Sequence, residues 1–522
     1  MNTVQMHPLL RPLFALLVAL AAAAAGAAPS GSAAPKPGWQ HGAFMEVFVR
    51  AYQDSDGDGI GDLRGLIQRL DYLKDLGISG LWLMPITASA DRDHGYATTD
   101  FRSIEPQYGT LADFDELLRQ AHVRGIGVII DYVINHSAHS HPMFVSAAAD
   151  QGSPWRDWFV WQESAPQGWD IWGKNPWYEH QGSHYFATFG PHMPDFNMRN
   201  PAVVAYHEDS LRFWLERGLD GFRLDAVPHL VENSAKDWND QPQSRQLTQR
   251  FSRLIRSYPG RHVVCEATAQ PTVYASPQVC GSAFAFGLER QIMQAARGDS
   301  GAVAAVADYF RSAPTSMATM LANHDIFAGE RIWDQLAGDE ARYKLAAASY
   351  LLMPGTPFIY YGEEIGMAGV KGLPGDEPLR TPMSWSADIR GFSTSDTPFR
   401  PLSPNAATHN AAAQAADPDS LLNFYKAMLG LRRELPAIAR GSYRQAQAQG
   451  QVLRFQRLLG RERVLVLINY GEAVEHPVPG LPRRSRWLSA YPAAKPALRA
   501  DGRGRLQLSL PRQSVTVLKI SP

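Results

Sequence analysis

Cysteine is nearly absent. Cys265 and Cys280 are the only two in 522 residues, which excludes a disulfide framework as the source of stability. Cys265 lies inside an apolar run that reads as a buried strand, so free thiols are expected. An excess of one charge is also missing: 50 Lys and Arg face 51 Asp and Glu, a formal net charge of −1. No electrostatic case therefore exists for nucleic acid or anionic lipid as a partner. Past residue 27 no apolar run reaches about 18 residues, so no membrane anchor is expected. No solenoid-type repeat occurs.

What remains is a chain that can bury a large core, with 45% hydrophobic and 10% aromatic residues, enough for a barrel and a smaller domain. Residues 1–27 read as a cleavable signal peptide. Arg11 precedes the apolar run Leu13 to Ala25, and Ala25-Gly26-Ala27 offers a small-residue cleavage site. Export to the periplasm or medium is expected, without a lipid anchor, because no Cys follows the apolar run. Residues 28–37 form a Pro/Ser/Ala linker.

From residue 38 an α/β rhythm begins. Strands are expected over Phe44–Tyr52, Gly80–Ile86, Gly127–His136, Gly221–Val227, His262–Ala267 and Ala283–Phe286, in a run ending at Asp325, and over Pro357–Glu364. The intervening helices are expected over 63–76, 110–124, 202–217, 244–258, 289–310, 340–352 and 421–434. Eight strand-helix repeats predict a (β/α)8 TIM barrel built from residues 38–136 and 198–436. Residues 137–197 break the rhythm and are too long for an ordinary loop. Rich in Trp (Trp155, Trp158, Trp161, Trp169, Trp172, Trp177), they read as an excursion domain after strand three that walls one side of a cleft. A Gly/Pro/Ser loop over 366–418 would cover the same end. Residues 437–522 predict a C-terminal antiparallel β-sandwich.

Several of the apolar runs end in acid or imidazole at the carboxyl end, where a parallel barrel assembles its site. Arg223 and Asp225, two apart on a strand, point to the same side. Such a pair can be a structural ion pair, or it can keep a nucleophilic carboxylate ionised. Glu266 follows Val263, Val264 and Cys265, where burial would raise its pKa and keep it protonated. One ionised and one protonated carboxyl roughly 5 Å apart would suit glycoside cleavage with retention. Asp325 would bind sugar hydroxyls and stabilise positive charge in the transition state. A separate loop, Asp54-Ser55-Asp56-Gly57-Asp58-Gly59-Ile60-Gly61-Asp62, could curl round a hard cation with oxygens from Asp54, Asp56, Asp58, the Ile60 carbonyl and Asp62. It could equally be a solvated turn capping the next helix. An EF-hand is excluded, because Gly65 stands where the bidentate Glu is needed.

The runs ending in Asn135-His136, Arg223-Leu224-Asp225, Glu266 and Asn323-His324-Asp325 resemble, in order, the four signature regions of the α-amylase superfamily of retaining α-glycosidases (glycoside hydrolase family 13). The likeness extends from about Gly38 to the C-terminus. It implies Asp225 as nucleophile, Glu266 as acid and base, and Asp325 as transition-state stabiliser. It also implies Asp93, Tyr96, His136, Arg223 and His324 as sugar contacts. It further implies Ca2+ on the acidic loop, as in the oligo-1,6-glucosidase branch, and a second Ca2+ near Asn135 and the His229 carbonyl. Met193-Pro194-Asp195-Phe196-Asn197 resembles the family's fifth region, and Ala226 after the nucleophile leans toward α-1,4 links. The expected function is a monomeric hydrolase cutting α-1,4-glucosidic bonds of starch or maltodextrins, with no redox or nucleotide cofactor. The alternatives are an exo-acting α-glucosidase or oligo-1,6-glucosidase, a transfer enzyme such as trehalose synthase, and a non-catalytic sugar-binding scaffold.

Overall fold

The structure is a computed structural model that describes residues 34–493 and 496–521. The expected signal peptide and the first part of the linker lie outside the described residues. Seven parallel strands form one sheet: Ala43–Val47, Ile78–Leu83, Gly127–Tyr132, Gly221–Leu224, His262–Cys265, Ala318–Thr319 and Thr356–Tyr360. In space their order is fifth, fourth, third, second, first, seventh, sixth. The gap is closed by residues 283–284, which bridge Ala283 to Cys265 on one side and Phe284 to Ala318 on the other. The eighth stave expected over Ala283–Phe286 is thus present as these two bridges alone.

Inward-pointing Phe44, Trp82, Ile129, Val264, Phe284 and Phe358 fill the barrel, with Trp39 beneath them. Strands four and five meet so closely that a Cβ on Gly221 would lie 1.8 Å from the His262 carbonyl oxygen. Its φ of +152° also favours glycine, so glycine is needed where the strand that carries Arg223 and leads to Asp225 begins.

Helices pack outside the sheet and most begin on side-chain caps. Thr110 and Asp113 form a reciprocal box at Leu111–Val123, and Asn200 caps Pro201–Glu216. Two expected single helices are broken. The first splits at Arg69 into Leu63–Gln68 and Leu70–Leu76, where Arg69 turns aside to Gln53 (Nε to Oε1, 2.6 Å). The second splits at Gly298-Asp299, a left-handed glycine followed by the cap of Ser300–Ser312. Strand one is shorter than expected, ending at Val47. Val49–Tyr52 then form a buried helical turn, because an apolar run broken only by Glu46 and Arg50 carries no clear period to separate strand from buried helix.

Free thiols are also overturned: Cys265 and Cys280 form a disulfide with their Cα atoms 6.3 Å apart. Burial of Cys265 in a strand left room for a bridge, because the segment carrying Cys280 packs directly behind it, held by Ser252 Oγ to the Cys280 carbonyl (2.7 Å).

Residues 137–197 hold helix Pro142–Ala149 and a three-stranded antiparallel sheet of Trp161–Gln162, Ser183–Phe186 and Trp177–His180. At the C-terminus a six-stranded antiparallel sheet, whose central strands are Glu462–Asn469 and Ser514–Ile520, faces a two-stranded ribbon of Val474–Val478 and Leu506–Leu510. Leu465, Leu467, Val478, Trp487, Leu508 and Leu518 fill the space between them. Among the described residues no helix is long and apolar enough to cross a membrane.

Candidate active site

The carboxyl ends of the strands open into a cavity of about 570 Å³ whose lining includes Tyr96, His136, Asp225, Glu266, Asp325 and Arg380. Its floor is organised by Arg223, 1% exposed. Nη1 donates to Asp131 Oδ1 at 2.9 Å and to the Asp225 carboxylate, while Nη2 lies 3.1 Å from Glu266 Oε2. One guanidinium therefore holds Asp225 and Glu266 side by side, the placement that a retaining pair needs.

Arg223, expected beside Asp225, is shared among three acids. The Asp225 carboxyl sits well above its ordinary range: burial lifts it, Arg223 opposes, and the charges of Glu266 and Asp131 add to the lift. Glu266 was expected in apolar surroundings, yet it also accepts the Ala226 N–H at 3.0 Å. That N–H is aimed by the backbone, since Ala226 adopts the left-handed conformation (φ +49°) directly after Asp225. A non-glycine residue held there beside two acids is the kind of strain that functional sites retain.

Asp325 lies to one side. Burial pushes its carboxyl up to about 7 against the pull of Arg380, whose Nη2 is 3.1 Å from Oδ1. His324 is buried, and its Nε2 stands 2.7 Å from Tyr96 Oη and 3.2 Å from Asp325 Oδ2. Its Nδ1 is 2.6 Å from Glu46 Oε1. Burial, then Arg380 and Arg223, hold its pKa well below the usual histidine value, so the ring is neutral and carries one N–H. Tyr96 donates to Asp131 Oδ2 at 2.8 Å and stacks on His324 with ring centroids 5.5 Å apart. His136 lines the cavity with both ring nitrogens unpartnered, and burial lowers its pKa to about 3. A neutral imidazole with free nitrogens in a cavity suits a ligand hydroxyl.

Asp93 does not itself line the cavity. It is gripped by Arg380 Nη1 and Arg400 Nη1, both at 2.7 Å, and Arg380 Nη2 also reaches Asp376 Oδ2 at 3.1 Å. This cluster forms one wall. The sequence reading missed Asp131, Glu46 and Arg400, and Arg380 lies within the 366–418 loop expected to cover this end.

In the acidic loop, Asp54, Asp56 and Asp58 each offer a carboxylate oxygen within 4.8 Å of the others. Burial, then the neighbouring Asp56, Asp54 and Asp62, raise the Asp58 pKa. Crowded hard oxygen donors of this kind fit Ca2+. Asp62, the last acid of the expected ligand set, lies outside this group of three. Its carboxylate caps the helix from Leu63 through Gly65 N–H (2.7 Å) and accepts from Ser55 N–H and Oγ (both 2.8 Å).

The titration of the buried groups has a measurable sum. Burial holds Asp131 at about 6 and Asp325 and Asp195 at about 7, and holds His136 and His207 at about 3. In the unfolded chain carboxyls titrate near ~4 and imidazoles near ~6.5. The raised acids contribute stability that is fully present below about pH 4 and is lost as pH rises through ~6 to ~7. The lowered histidines contribute stability that is present above about pH 6.5 and is lost as pH falls toward ~3. Between about pH 4 and 6 the three acids outweigh the two histidines, so these groups should make urea midpoints higher near pH 4 to 5 than at pH 8. A midpoint that climbs steadily from pH 4 to pH 8 would contradict these environments.

A family model described as "Alpha amylase, catalytic domain" matches residues 46–441, the barrel and everything inserted in it. The chain belongs to the alpha-amylase family. Alpha-amylase 3 of Dictyoglomus thermophilum is 36% identical over 448 residues, 83% of this chain and 85% of that protein. Trehalose synthase/amylase TreS of Mycobacterium tuberculosis is 34% identical over 479 residues, 80% of this chain and 79% of that protein. Among solved structures, the alpha-amylase from H. orenii superposes with a TM-score of 0.81 at 32% identity, covering 92% of this chain and 100% of that one. This alpha-amylase family member is a glycoside hydrolase or transferase that acts on carbohydrate.

Proposed function

We propose that this protein is a retaining hydrolase of α-1,4-glucosidic bonds in maltodextrins. The observation that carries the reading is the pairing of Asp225 and Glu266 on the two amino groups of Arg223, at the floor of a sugar-sized cavity. Asp225 attacks the anomeric carbon while Glu266 gives its proton to the departing glycosidic oxygen. Arg223, held by Asp131, keeps positive charge beside Asp225 as the carboxylate becomes an ester. Asp325 and His136 bind hydroxyls of the sugar being cleaved, and His324, fixed by Glu46 and Tyr96, orients Asp325. Water then attacks from the side that the leaving group vacated, losing its proton to Glu266, which restores both acids.

A second reading differs only in where the chain is cut. Arg380 and Asp376, backed by Asp93 and Arg400, wall the cavity with charge and favour a blind pocket one sugar deep. A blind pocket releases glucose from one end of the chain. Digestion of maltoheptaose blocked at its reducing end separates the two: internal cuts support the amylase reading, and glucose as sole early product supports the second.

The acidic loop would hold a structural Ca2+ through Asp54, Asp56, Asp58, the Ile60 carbonyl and Asp62, which ties the loop to the strand-one end of the barrel. A second one would sit near Asn135 and the His229 carbonyl. Treatment with EDTA should lower the Tm by several degrees, and added Ca2+, but not Mg2+, should restore it. An unchanged Tm would remove the metal from this account. Export of a monomer completes the reading. Its support is the Arg11 to Ala27 segment together with the Cys265–Cys280 disulfide, a bond that persists in oxidising compartments.

A further inference from the structure

Trp172 is in an unusual place. Ile171 and Lys174 exchange both backbone hydrogen bonds (2.8 and 3.0 Å), so Trp172 and Gly173 are the two tip residues of a tight hairpin. Both have positive φ, +50° and +81°, which is the type I′ turn, where Asn-Gly is the favoured pair. A bulky aromatic residue is disfavoured at the first of these positions. The indole is also 62% exposed. Neither backbone preference nor core packing accounts for a tryptophan here.

The side chain nonetheless has a defined setting. It lines the same cavity as Asp225 and Glu266, braced by Phe189 (centroids 5.7 Å) and edge-on to Trp238 (5.5 Å). Two other exposed apolar side chains, Ile326 and Phe327, line that cavity from the turn that follows Asp325. Phe327 is 54% exposed and Ile326 43%. Among the described residues only seven large hydrophobics are exposed, and three of them stand at this one opening. Clustered exposed apolar surface at a cavity marks a binding site.

Polar groups line the floor of the cavity and apolar rings stand exposed at its rim. The sugar that forms the glycosyl-enzyme needs the floor. The part of the substrate that leaves must lie toward the rim, and the C–H face of a pyranose ring is apolar and matches an aromatic face. We propose that Trp172, with Phe327, forms the platform that grips the leaving-group glucose units, so that these residues set the preference for an oligosaccharide over a small leaving group. This inference rests on the α-glucan reading of the site.

The test compares kcat/KM for maltoheptaose and for α-glucosyl fluoride, whose leaving group is too small to reach the rim. Wild type, Trp172→Asn, Trp172→Phe and Phe327→Ala are measured. Asn suits the turn, so Trp172→Asn should fold with a Tm at or above that of wild type. The ratio of maltoheptaose to fluoride should fall tenfold or more in Trp172→Asn, mainly through KM, and fall in Phe327→Ala, while Trp172→Phe keeps most of it. A ratio within twofold of wild type in Trp172→Asn overturns the platform. If wild type cleaves the fluoride but no malto-oligosaccharide, the α-glucan reading fails, and the platform fails with it.

Discussion

Asp225→Asn should lower kcat by about five orders of magnitude on both maltoheptaose and α-glucosyl fluoride, a barrier increase of about 7 kcal/mol. Asn keeps the shape of the side chain and an oxygen that can accept from Arg223. It removes only the charge able to bond to the anomeric carbon. Both substrates should suffer equally, because neither can reach the glycosyl-enzyme without that bond. Stability should move the other way. The wild-type carboxyl is buried and lifted well above its ordinary range, chiefly by burial and then by the charges of Glu266 and Asp131 against the pull of Arg223. Replacing it by a neutral amide relieves that crowding while Asp131 and Glu266 still neutralise Arg223. The Tm of Asp225→Asn should therefore equal or exceed that of wild type, the trade between function and stability seen at strained sites. Retained turnover would refute the role given to Asp225, and an unfolded variant would refute the stability argument.

The acids of the site were legible in the sequence because each closes a short apolar run, and a parallel barrel brings such ends together whatever the loops do. The partners that tune those acids were not. Asp131 lies inside strand three, in Val128-Ile129-Ile130-Asp131-Tyr132, where it reads as an interruption of a hydrophobic run. Only strand pairing shows that it stands level with Arg223. Glu46 is likewise an isolated acid in strand one, 278 residues from the histidine it contacts. Asp93 meets Arg380 and Arg400 from 287 and 307 residues away. No local period or spacing carries such pairs, because barrel closure creates them. The same holds for Trp172. Composition marked it as one of many aromatics in the excursion domain, while its meaning comes from a left-handed backbone and from the cavity it faces.

Removal of the second acid should produce a different pattern. Glu266→Ala should cut turnover of maltoheptaose by three to four orders of magnitude, since an unassisted sugar alkoxide is a poor leaving group. The first step with α-glucosyl fluoride should proceed, because fluoride departs without a proton, and the glycosyl-enzyme should accumulate as a burst. Azide needs no base to attack, so it should speed turnover of the stalled intermediate and yield α-glucosyl azide, the same anomer as the substrate. In Asp225→Ala the azide would instead attack from the vacated nucleophile side and give the β-anomer. Glu266 also accepts the Ala226 N–H and touches Arg223. The Ala variant leaves a buried donor unpaired and should lose about 1 to 3 kcal/mol of stability. Glu266→Gln keeps an acceptor for that donor and should recover most of the stability but none of the acid function. A β-azide from Glu266→Ala would reverse the assignment of the two carboxyls. No azide product from either variant would remove the covalent intermediate from the mechanism.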